Sequence, residues 1–68
     1  MKVSRQLEVM ERDYKRYVLE LQVTNARHLK YAGKDNKRAE YYQSLARYYM
    51  SLVSITQAAI EYMKQESF

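Results

Sequence analysis

The sequence predicts an all-α protein: an antiparallel two-helix hairpin that dimerises into a four-helix bundle. Three observations carry this. The only glycine, Gly33, sits near the middle of 68 residues, in AGKDN (32–36), and there is no proline anywhere. On either side of it, apolar residues recur at steps of three and four, the period of a helix that buries one side. The second half also carries more apolar and aromatic matter than one partner helix can cover.

The first helix is expected over about residues 4–32. Val3, Leu7, Met10, Tyr14, Tyr17 or Val18, Leu21, His28 and Ala32 fall mostly on one side of it. Ser4 is the expected N-cap. Gly33 suits the left-handed position that ends a helix, and the turn is placed at 33–36. Asp35 or Asn36 then caps the second helix. Neither completes a capping box, because Arg38 and Ala39 stand where the glutamate would be.

The second helix is expected over about residues 36–65. Tyr42, Leu45, Tyr49, Leu52, Thr56, Ala59 and Met63 form a heptad-like seam, with Val53 and Ile60 on its flank. YYMSLVSI (48–55) has strand-forming residues, but the sustained three-four period and the lack of a second turn decide for helix. Each helix is then roughly 44 Å long. A fold about Lys34 sets Leu7 near Tyr62, Met10 near Ala59, Tyr17 near Leu52, and His28 near Tyr41 or Tyr42. Asn25 is the expected polar layer of the seam.

Tyr41, Tyr48, Ile55 and Tyr62 form a second stripe beside the seam. With Leu52 they are the expected protein interface, because a contiguous apolar patch left by one pairing calls for another. A homodimer with helix 2 central is the simplest cover, and Ala39, Ala46, Ala58 and Ala59 allow close approach. A second protein partner would satisfy the same pattern. So small a chain needs help to be stable. It has no cysteine and one histidine, which leaves association as the aid and points to no metal, no cofactor and no catalytic centre.

Lys and Arg number 12 and Asp and Glu 8, a net charge of +4. At 100° per residue, Arg5, Arg12, Arg16, Arg27, Lys30 and Lys34 fall in a sector about 60° wide, opposite the apolar side of helix 1. Lys37 and Arg38 follow just past the turn. The surface pairs expected are Glu8–Arg12, Glu11–Lys15 and Glu40–Lys37, each worth a few tenths of a kcal/mol. MKVSRQLEVMER has no apolar signal segment and no run spans a bilayer, so a cytoplasmic protein is expected. The functional expectation is a small non-enzymatic interaction or regulatory factor acting as a helical oligomer. The alternative is a nucleic-acid-binding bundle dimer that lays Arg12, Arg16, Arg27, Lys30, Lys34, Lys37 and Arg38 along phosphates.

Overall fold

A computed structural model describes the backbone of residues 2–66 and the side chains of 5–66. It is a helical hairpin. α1 runs Lys2–Tyr31 and α2 runs Asn36–Glu66, and the two pack against each other along their length. α1 begins at Lys2, so Ser4 lies within its first turn and is not the N-cap. Val3 belongs to the expected stripe, but its side chain lies outside the described residues.

The turn is built from local backbone chemistry. Gly33 has φ +78°, which costs a glycine nothing and any other residue a clash of its Cβ. That reversal lets the Tyr31 carbonyl accept from the Lys34 and Asp35 N–H groups, at 3.0 and 2.9 Å. Two donors thus meet a carbonyl that the helix end would leave bare. Asp35 is the N-cap of α2. Its Oδ1 accepts from the Arg38 N–H at 3.2 Å, and its carbonyl accepts from the Ala39 N–H at 2.9 Å. The other carboxylate oxygen lies 3.5 Å from Arg38 Nε. The third residue of the helix therefore returns to the cap through an ion pair, where a glutamate would return through the cap's N–H.

Facing residues repeat every seven positions on both helices. α1 turns inward Leu7, Met10, Tyr14, Tyr17, Leu21, Thr24, His28 and Tyr31, all buried or half-buried. α2 answers with Ala39, Tyr42, Ala46, Tyr49, Val53, Thr56, Ile60 and Met63. The seven-residue repeat on both sides is the pattern by which two antiparallel helices stay in contact along their length. The innermost column on α2 is Ala39, Ala46, Val53 and Ile60, of which Ala39, Ala46 and Ile60 are buried. Val53 and Ile60 are thus central, whereas Leu45, Leu52 and Ala59 lie half-buried on the flank. The expected seam shares Tyr42, Tyr49, Thr56 and Met63 with the observed one but took the wrong neighbouring column, because the small Ala39 and Ala46 let the backbones come close and so occupy the centre.

Thr24 is the buried polar residue of the seam, 3% exposed, and Asn25 points to solvent. The Thr24 hydroxyl donates to the Glu20 carbonyl at 2.6 Å, so it enters the core already satisfied. The hairpin measures 51 × 14 × 11 Å, with a radius of gyration of 15.4 Å. A globular chain of this length would have about 11 Å. A two-helix rod has no third layer to close over its outer sides, and that geometry leaves the candidate surfaces bare.

Candidate interaction surfaces

Tyr41, Tyr48, Ile55 and Tyr62 stand in one line on α2, between 57% and 67% exposed. They are seven residues apart, so they share one column of α2, outside the column that packs on α1. Leu52 lies beside them, half-buried. Tyr41 and Tyr48 each meet a neighbouring ring edge-to-face, Tyr42 at 5.2 Å and Tyr49 at 5.5 Å. Such contacts hold the ring bodies in place on the surface. Of the alanines expected to allow a second helix close, Ala39 and Ala46 are consumed inside the hairpin, and Ala58 remains exposed.

Sequence reasoning missed part of the outer apolar surface. Val9, Leu19, Val23 and Leu29 are exposed on α1, and Met50 on α2; Leu19 and Leu29 are 58% and 72% exposed. Leu19, Val23 and Val9 fall in or beside the sector read as basic. The same angular arithmetic would have found them had the leucines and valines been placed along with the charges. The outer face of α1 is therefore mixed, and Arg12 and Arg16 are separated from the other cations by Leu19 and Val23.

The loop end gathers the remaining cations around two stacked tyrosines. Tyr31 and Tyr42 lie face to face across the hairpin at 5.8 Å, 9° from parallel. Arg27 sits over Tyr42 at 5.9 Å. Lys30 and Arg38 approach Tyr31 at 5.7 and 5.4 Å. Arg38 Nη1 also donates to the Tyr31 hydroxyl at 3.4 Å. That hydrogen bond, then the electrostatic pull of the phenol oxygen of Tyr31 and of the Asp35 carboxylate, holds the guanidinium above its ordinary pKa. Lys34 and Lys37 are exposed near it. Among the described residues, the ion pairs are Arg38–Asp35 and a 4.0 Å contact of Arg12 with Asp13. The three pairs expected from helical spacing do not form, because exposed side chains gain too little to hold one geometry.

His28 lies against α2, where its Nδ1 is 2.9 Å from the Ala39 carbonyl. It meets the backbone one turn nearer the loop than the tyrosines expected beside it. Two open grooves, of about 590 Å³ beside Arg5, Gln6, Val9 and Met10 and about 320 Å³ between Tyr14 and Ile60, have no His, Cys or Ser among their described lining residues. Among the described residues no three His, Asp or Glu side chains converge on a metal position. No described helix is long and apolar enough to cross a membrane. The chain shows no significant match to any protein family, curated protein or solved structure compared with it.

Proposed function

We propose that this protein is a small non-enzymatic interaction factor whose working surface is the outer line of α2. The observation that carries the reading is the alignment of Tyr41, Tyr48, Ile55 and Tyr62 on one exposed stripe. A helix spends apolar residues at every seventh position where another helix lies along it. The hairpin already has its own seam, so these four serve something outside it. A photoreactive phenylalanine at position 48 tests this in cells, with the same analogue at Gln22 on α1 as control. A defined adduct at 48, absent at 22 and lost with Ile55→Glu, is the expected result. No adduct at 48, or equal adducts at both positions, overturns it.

A second reading rests on the loop end. Arg27, Lys30, Lys34, Lys37 and Arg38 gather there beside the Tyr31–Tyr42 stack, which would make a phosphate-binding tip. Fluorescence anisotropy with labelled duplex DNA and hairpin RNA tests it at about 50 and about 200 mM salt. Micromolar binding that weakens steeply with salt and is lost in Arg27→Glu, Lys30→Glu supports it. Absence of binding at the lower salt removes it.

A further inference from the structure

The outer side of α2 carries two columns. Large residues stand at 41, 48, 55 and 62, and smaller, unbranched or short ones at 44, 51, 58 and 65: Ser44, Ser51, Ala58 and Gln65. Together they step by three and four, so α2 has a second heptad seam, on roughly the opposite side from the one that packs on α1. The two columns are both exposed in the hairpin. Ser51 donates its hydroxyl to its own helix, to the Arg47 carbonyl at 3.1 Å, so it brings no unmet polar group to a packed position.

We infer that the occupant of this seam is a second copy of the chain, bound antiparallel through α2 about a two-fold axis near residue 53. This rests on the reading of the α2 stripe as an interface and names its partner. A parallel pair would set large against large and small against small. An antiparallel pair does the reverse when facing residue numbers sum to about 106, since helices meet at matched rise. Tyr41 then faces Gln65 of the second copy, Tyr48 faces Ala58, Ile55 faces Ser51, and Tyr62 faces Ser44. Large meets small at three layers, and at the fourth Tyr41 meets the flexible Gln65, so the pattern is self-complementary as a two-fold interface requires.

Charge agrees with the same register. Arg47 and Glu61 flank the seam on one side, both exposed and neither in an ion pair among the described residues. The antiparallel alignment brings Arg47 of one copy beside Glu61 of the other, twice by symmetry. A parallel alignment brings Arg47 beside Arg47 and Glu61 beside Glu61. Leu52 falls close to the axis and meets its own counterpart.

Area agrees too. The hairpin exposes 5702 Å², against about 4,500 Å² for a compact monomer of its mass. The excess is of the order that each partner of a standard stable interface covers, about 800 Å². In the resulting dimer, the four helices lie in the order α1, α2, α2, α1, with the two α2 helices central.

The absence of native cysteine makes the test direct. Chains with Ser51→Cys and with Ile55→Cys are purified separately, mixed, and oxidised slowly, and the disulfides are assigned by mass. The expected product is predominantly the mixed 51–55 species, from a protein whose solution mass is that of a dimer. Predominant 51–51 disulfide would mean parallel chains and overturn the inference. A single-chain mass for the unsubstituted protein at its highest soluble concentration overturns it as well. Arg47→Glu should weaken the dimer about tenfold or more, and Arg47→Glu with Glu61→Arg should restore it. No change in Arg47→Glu would refute the register. If the chain is monomeric but the position-48 adduct is to a different protein, the dimer fails and the interaction surface stands. If no adduct forms, both fail.

Discussion

Ile55→Ser separates the two states of the α2 surface by size of effect. Ile and Ser have nearly equal helix propensities, so the change reports packing and little else. Ile55 is 67% exposed in the hairpin. Full burial of such a side chain contributes about 1.5–3 kcal/mol. In an isolated hairpin only the covered third is at stake, which is roughly 0.5–1 kcal/mol. On a covered seam the remaining two-thirds is lost as well, roughly 1–2 kcal/mol per chain and twice that per dimer. The dimer dissociation constant should then rise by about 30-fold to about 1,000-fold. Sedimentation equilibrium measures that constant, and thermal unfolding over a wide concentration range checks it, because a dimer's midpoint rises with concentration. A midpoint independent of concentration in both proteins, with a small shift between them, would refute the argument that Ile55 is a covered residue.

Four further outcomes follow from the hairpin itself. Gly33→Ala should cost about 1–2 kcal/mol, from the clash of its Cβ with the adjacent left-handed backbone alone, because beyond its chain neighbours a Cβ there meets nothing within 4 Å; calorimetry should show a midpoint lower by several degrees. Asp35→Ala should cost about 1 kcal/mol by removing the cap of α2, whereas Asp35→Asn should keep most of it, as urea unfolding will show. Ala46→Leu should destabilise by about 1–3 kcal/mol, since Ala46 is 6% exposed against α1 and has no room beside it; an unchanged urea midpoint would remove Ala46 from the seam. His28 should carry its proton on Nδ1 when neutral, because the Ala39 carbonyl only accepts; nitrogen chemical shifts that place the proton on Nε2 would break that hydrogen bond.

The hairpin was legible because its signals are local. One glycine in a proline-free chain marks the turn, Asp35 supplies the cap, and the three-four recurrence marks both helices. The pairing was legible only in outline: a short turn makes the helices antiparallel, but Tyr62, expected beside Leu7, stands 63% exposed on the outer side of α2, and His28 meets the Ala39 carbonyl instead of Tyr41 or Tyr42. The centre of the seam was harder. Tyr42, Leu45 and Leu52 outweigh Ala39 and Ala46 in hydrophobicity, yet the alanines are innermost because small residues let two backbones come close and the larger ones wrap around them. Thr24 outranked Asn25 as the buried polar residue because its hydroxyl finds the Glu20 carbonyl on its own helix, whereas the Asn25 amide would need a partner across the seam. The outer apolar residues of α1 escaped because a sector was named for its charges, and a helix face holding both Arg16 and Leu19 has no single character.

The two helices differ in how many neighbours their sequences ask for. α1 sets one apolar side against α2 and leaves a mixed outer side in which Val9, Leu19, Val23 and Leu29 stand exposed among the charges. α2 carries its polar residues on the column of Glu40, Arg47, Ser54 and Glu61 and on the two beside it, with Gln43, Gln57 and Lys64 in one and Ser44, Ser51 and Gln65 in the other, and is largely apolar elsewhere. On the proposed reading α2 becomes an interior helix, flanked on two sides. The hairpin supplies one flank. On that reading the alternation of large and small residues at 41 to 65 decides what the other flank can be, because a ridge of large side chains spaced seven apart needs a partner with gaps at the same spacing. The chain that carries the ridge also carries the gaps, displaced by three residues, and reversing its direction brings each onto the other.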